Sequence, residues 1–151
     1  MDLSGDDLAG VVDLFGGLTR PELGRAVEEL TFKRDADHDP EAVETAVDRA
    51  LERYHLVAVG EDPTLLASGP AAFPTLPDGA TDLPHIMDVP DRSVDRETAA
   101  RAALERLEQD AEAAVEDGDQ WAAGRLVDVS YDLESWSGVD ASAVRERLDE
   151  V

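Results

Sequence analysis

The balance of charges constrains this fold more than any other feature of the sequence. The chain carries 36 acidic residues against 13 basic ones, for a formal net charge of −23, and Lys33 is the one lysine among the basic residues. Carboxylates at this density must face solvent, and their repulsion is tolerable where molar salt shortens the Debye length to about 3 Å. The composition therefore indicates adaptation to a very salty cytoplasm, so the net charge says little about partners.

Length and cysteine content narrow the class of protein. A chain of 151 residues with 42% hydrophobic residues is long enough to bury a core, and its apolar residues recur at regular spacing, so we predict a folded protein. The absence of cysteine excludes disulfides, thiolate metal sites and cysteine nucleophiles. The N-terminal residues include neither a basic segment nor a long apolar run, and we therefore expect a soluble, cytoplasmic protein.

Three helices and a hairpin are predicted in the N-terminal part. Ser4 and Thr19 each open a capping box ahead of apolar residues at helical spacing, and a glycine pair ends the first helix. Asp39 is the predicted N-cap of a third helix over about 40–54. Two short apolar segments around a turn at 60–63 then predict a β-hairpin, with strands at 56–59 and 65–68.

A proline-rich segment separates this part from a helical C-terminal part. Prolines at positions 70, 74, 77, 84 and 90 predict an extended connector. After it, apolar periodicity predicts a long helix closed by Gly118, a second helix from about Gln120 to Trp136, and a short terminal helix capped by Asp140. The predicted fold is mostly α with a small β-hairpin, divided into 1–68, a connector at 69–92, and a helical hairpin with a terminal helix at 93–151.

The hydrophobic pattern of the first 68 residues resembles that of a known fold. The pattern comprises Leu18-Thr19, Leu23, Ala26-Val27 and Leu30 in the second helix, Ala42-Val43, Ala46-Val47 and Ala50-Leu51 in the third, and His55-Leu56-Val57 before the hairpin. With these residues the segment resembles a winged helix-turn-helix domain, while the rest of the chain resembles uncharacterised haloarchaeal proteins. The resemblance implies a third helix that enters the DNA major groove, with Thr45, Arg49 and Arg53 among its contact residues.

Charge and loop length depart from the pattern of a DNA-binding winged helix. The predicted outer face of the third helix also carries Glu41 and Glu44, and the wing tip is Glu61-Asp62, so carboxylates would face phosphates. The polar insertion before the third helix has about eight residues, whereas the tight turn of this motif has about three to four. We therefore favour a non-catalytic interaction or regulatory module with a protein partner. A DNA-binding transcription regulator is the alternative, and an enzyme with an unrecognised carboxylate site is a weaker one.

Two further groups of residues are candidate contact sites. Lys33 and Arg34 form the one adjacent basic pair, which either binds a partner or stabilises the C-terminus of the second helix through its dipole. The helix over about 120–136 is apolar on two sides, and its second side holds Val127 and Tyr131, with Trp121 nearby. Both apolar sides of such a helix must be covered by other residues. We therefore expect the second side to contact either the N-terminal half or a second copy in a homodimer.

Metal-binding and catalytic motifs are incomplete in this sequence. Asp35, Asp37 and Asp39 alternate as at the start of an EF-hand loop, but Pro40 and Ala46 occupy the positions that need glycine and glutamate. The three histidines lack ligand spacing, and neither a serine-hydrolase elbow nor a glycine-rich phosphate loop is present. We therefore expect no cofactor and no catalytic residues.

Salt dependence tests the interpretation of the charge. We expect the protein to unfold as salt is withdrawn, because the Debye length rises to about 30 Å at 0.01 M and the surface carboxylates then repel one another. Circular dichroism against KCl concentration measures the loss of helix. Helicity that persists to millimolar salt would contradict salt adaptation.

Overall fold

The computed structural model describes residues 3–151; the predicted start of the first domain at residues 1 and 2 lies outside the described residues. The chain forms two compact units, the first ending at Val94 and the second running from Asp95 to Val151. Each unit contains its own buried apolar residues. The predicted connector at 69–92 thus falls inside the first unit.

The described residues are mostly helical, with one small antiparallel sheet, which confirms the predicted fold class. The first unit contains α1 (Gly5–Phe15), α2 (Arg20–Lys33), α3 (Pro40–Glu52), β1 (Leu56–Val59), β2 (Leu65–Ser68), a 3-10 turn (Ala80–Asp82) and α4 (Leu83–Ile86). The second contains α5 (Arg96–Asp117), α6 (Gln120–Trp136) and α7 (Ser142–Leu148).

The helix starts follow the capping residues of the sequence. Ser4 and Thr19 form complete capping boxes, and Asp39 accepts hydrogen bonds from the first backbone N–H groups of α3. The third helix ends at Glu52, two residues before the predicted end. The reason is Tyr54, a buried residue whose φ of 63° lies in the left-handed region and turns the chain into β1.

The hairpin and the first three helices share one core. In the hairpin, Leu56 pairs with Ser68 and Val59 with Leu65. The backbone of Leu18, between α1 and α2, also bonds Leu66 in both directions. The buried apolar residues of this core include Leu8, Val11, Val12, Leu23, Val27, Leu30, Val47, Ala50, Leu56, Leu66 and Leu83.

The segment 69–92 is fastened to α1 and α2 and contains two short helical turns. Asp6 accepts the backbone N–H of Thr75 at 3.0 Å and, through its carboxylate, that of Phe73 at 2.9 Å. Further along, the guanidinium of Arg92 binds the Glu22 carboxylate at 2.5 Å. Burial alone would raise the pKa of Glu22, but hydrogen bonds from Arg92 and Thr19 outweigh it and lower the pKa.

The second unit is a helical hairpin closed by α7. Gly118 ends α5 in the left-handed conformation, with φ of 61°, and Asp119 caps α6 one residue later. Arg145 of α7 reaches Ser130 at 3.1 Å and Glu134 at 3.0 Å, both on α6. The helix begins one residue later than predicted, with Ala141 as its N-cap, and the carboxylate of the predicted cap Asp140 accepts the backbone N–H of Ser142 at 2.9 Å.

A close approach between α1 and the 69–92 segment predicts the effect of adding one methyl group. A Cβ at Gly10 would lie 1.8 Å from the backbone oxygen of Thr75, so Gly10→Ala must displace that segment. We expect a loss of about 2 kcal/mol in the free energy of unfolding, measured by denaturant titration in molar KCl.

A second glycine provides the matched control. Apart from its chain neighbours and the backbone of its own helix, Gly24 in α2 has no atom within 4 Å of an added Cβ, so Gly24→Ala should stabilise the helix by up to about 1 kcal/mol. Wild-type stability in Gly10→Ala would show that the contact with Thr75 does not constrain the fold.

Candidate interaction surface of the third helix

The third helix buries one narrow side and exposes the rest. Val47 and Ala50 are fully buried, while Val43, Ala46 and Leu51 pack partly against the core. Seven polar side chains lie in solvent on the remaining surface, here called the α3 face: Glu41, Glu44, Thr45, Asp48, Arg49, Glu52 and Arg53. The α3 face therefore carries four carboxylates and two guanidinium groups.

An arginine from α2 crosses to the α3 face. The Nε of Arg20 lies 2.8 Å from the carboxylate of Glu44, and its terminal nitrogen also binds the carboxylate of Asp48. The contact fixes α3 against α2 and neutralises part of the negative charge. Glu41 and Glu52 have no cationic partner among residues 3–151. The N-terminal end of the face is therefore acidic, whereas the C-terminal end is mixed, with Glu52 near Arg49 and Arg53.

The predicted contact residues of α3 share this exposed face but differ in availability. Thr45 donates its hydroxyl to the backbone oxygen of Glu41 at 3.0 Å. Arg49 and Arg53 are exposed, one helical turn apart, and neither forms an ion pair within the part of the chain that the structure describes. Their guanidinium groups are free to contact a ligand.

The basic pair of α2 lies against a different segment. Lys33 donates to the Asp82 carboxylate at 3.1 Å and to the oxygen of Gly79 at 3.4 Å. Arg34 donates to the oxygen of Asp78 at 3.1 Å. Both side chains thus hold the 78–82 turn onto the end of α2, and the structure does not bring them together with the α3 face.

A cleft of about 630 Å³ adjoins the N-terminal half of α3. Its apolar lining comes from all three helices, with Leu8 from α1, Val27 from α2 and Val43 from α3. Its polar lining is Thr31, Asp37, His38, Asp39, Thr45 and Arg49. The Nδ1 atom of His38 is buried without a hydrogen-bond partner among residues 3–151. The cleft therefore places an apolar surface beside the charged α3 face.

The outer surface of α6 presents aromatic rings beside arginines. Trp121 is 73% exposed and Tyr131 is 55% exposed, while Val127 is half-buried. The guanidinium of Arg125 lies 5.0 Å from the Trp121 ring centre, and that of Arg145 lies 4.2 Å from the Tyr131 ring centre. Exposed aromatic and arginine side chains are enriched at protein interfaces.

None of the described helices is long and apolar enough to span a membrane. Within residues 3–151, no group of three or more histidine, aspartate or glutamate side chains is placed to hold a metal ion.

The chain belongs to the DUF7109 family. The model of this family of unknown function matches residues 6–151, which include nearly all of the first unit and the whole of the second. Neither a curated protein nor a solved structure matches the chain.

The cleft of this DUF7109 protein was missed by sequence reasoning. In the sequence, His38 is the neighbour of a helix cap, and Leu8 and Val27 are ordinary core positions. Nothing in the local pattern marks these three residues as the lining of a cleft. The available signal was the polar insertion before α3, which exceeds a tight turn and supplies Asp37, His38 and Asp39 to the cleft.

Tyr131 tests the outer surface of α6. Because the ring is largely exposed and a new carboxylate would lie beside Arg145, Tyr131→Glu should leave the protomer folded. We expect light scattering in molar KCl to show a wild-type dimer and a monomeric variant. Gln109→Glu, an exposed change on α5, is the control. A variant that unfolds, or that keeps the wild-type mass, would contradict a dimer interface at this position.

Proposed function

We propose that this DUF7109 protein is a non-catalytic interaction or regulatory module, and that its winged-helix-like first unit binds a protein partner through the α3 face. The observation that carries the proposal is the charge of that face. Glu41 and Glu52 lie at its two ends without a cationic partner among residues 3–151, and Glu44 and Asp48 share the single arginine Arg20. A basic protein surface complements this arrangement.

Salt adaptation adds specificity to such a surface. At molar salt a Debye length of about 3 Å removes long-range steering, so only charge pairs that come into contact contribute. Acidic surfaces would place carboxylate against carboxylate, which is unfavourable at contact distance. The α3 face therefore selects partners by close pairing with basic side chains.

The carboxylates of the α3 face disfavour DNA binding, although its two arginines favour it. Phosphates would meet the carboxylates of α3 and those of Glu61 and Asp62 at the exposed hairpin tip. In favour of a DNA-binding regulator, Arg49 and Arg53 form an unpaired arginine pair on the exposed face of the third helix. The two candidates thus depend on oppositely charged residues of one face.

Charge reversal separates these functions. The protein partner should be captured from native lysate in molar KCl by the wild-type protein and lost, by at least about ten-fold, with Glu41→Lys/Glu52→Lys. The control Glu105→Lys/Glu116→Lys makes the same change in net charge at exposed positions of α5, and it should capture the partner normally. Mass spectrometry quantifies the captured protein.

Gel shifts and genome-wide crosslinking test the DNA-binding alternative. A specific DNA site that is lost in Arg49→Ala/Arg53→Ala would establish the regulator instead. Equal capture by both charge-reversed variants would exclude the α3 face as the protein-binding surface.

A further inference from the structure

The cleft beside α3 has the size and lining of a small-molecule site. Its volume of about 630 Å³ lies within the range of about 300–1,000 Å³ that is usual for ligand pockets. Leu8 and Val27 at its floor are buried members of the core, so the apolar surface open to a ligand comes from the less buried Leu3, Val43 and Ala46. Polar side chains are confined to the loop before α3 and to one side of α2 and α3.

Several polar groups of the cleft are already committed. Asp39 accepts the backbone N–H groups of Glu41 and Ala42 as the cap of α3. Thr31 donates its hydroxyl to Val27, and Thr45 donates to Glu41. Neither threonine hydroxyl therefore needs a ligand, and the Asp39 carboxylate is held by the helix.

Two charged groups of the cleft remain uncommitted. Asp37 and Arg49 are exposed and form neither an ion pair nor a side-chain hydrogen bond among residues 3–151. The cleft thus offers one negative and one positive group beside an apolar surface.

This set of groups selects the charge of the ligand. A simple anion would meet Asp37 and Asp39, whereas a simple cation would meet Arg49. A neutral apolar molecule would leave both Asp37 and Arg49 without a partner. A molecule that carries both charges and an apolar body can pair with every group.

We infer that the cleft binds a small zwitterion with an apolar body, the chemistry of an apolar α-amino acid. The carboxylate pairs with the guanidinium of Arg49 and the ammonium with Asp37, while the side chain packs against Leu3, Val43 and Ala46. This inference is independent of the proposed protein partner, because the ligand binds to the isolated chain.

Calorimetric titration of the full chain in molar KCl tests the inference, with phenylalanine as the probe. Three related compounds each lack one recognised feature: 3-phenylpropanoate lacks the ammonium, phenethylamine lacks the carboxylate, and glycine lacks the apolar body. We expect phenylalanine to bind with a Kd of about 1 mM or below, and each related compound to bind at least about ten-fold more weakly. No heat with phenylalanine, or equal binding of 3-phenylpropanoate, overturns the inference.

Two exposed arginines of the first unit give a matched pair of variants. Arg49→Gln removes a lining residue and should weaken phenylalanine binding by at least about ten-fold, whereas Arg25→Gln, on α2 and outside the lining, should leave it unchanged. Asp37→Asn should weaken phenylalanine but not 3-phenylpropanoate. Both arginines are exposed, so neither variant should unfold, and circular dichroism checks this. Equal affinities in the two arginine variants overturn the inference.

Discussion

The small number of basic side chains determines which segments of this chain are joined by ion pairs. Seven of its 13 basic side chains form ion pairs among residues 3–151, namely Arg20, Lys33, Arg92, Arg101, Arg106, Arg145 and Arg147. Several of these pairs join different elements, as Arg92 does with Glu22 and Lys33 does with Asp82. Surface ion pairs contribute little each, but the Arg92 pair is largely buried and fixes a long segment. The surfaces left without cations are consequently acidic.

Local chemistry made most elements of this fold predictable, and long-range contacts account for the rest. Capping boxes at Ser4 and Thr19 are complete within four residues, so sequence alone located both helices. The prolines predicted an extended connector at 69–92. The bonds of this segment to Asp6 and Glu22 join residues far apart in sequence, and a local pattern does not reveal them. Apolar periodicity likewise predicted the exposed polar face of α3. The cleft forms only where three helices and a loop meet, which periodicity within one helix does not show.

The two units present different kinds of surface. The α3 face offers charge beside a partly apolar cleft, whereas the outer side of α6 offers aromatic rings stacked with arginines. Charge pairs lose range in molar salt, while apolar burial is strengthened by salts that are excluded from protein surfaces. At molar salt, contacts made through the second surface would therefore depend less on charge than contacts made through the first.

The contact between Gly10 and Thr75 also sets an order for folding. The side of α1 that contains Gly10 is covered by residues made 65 positions later, and α2 is joined to Arg92 across 70 positions. Closing such long loops costs chain entropy before any contact compensates for it. During synthesis, α1 and α2 must therefore leave the ribosome with part of their apolar surface uncovered. The first unit can complete its packing only after Arg92 has emerged, so its two N-terminal helices wait for most of the unit to be made.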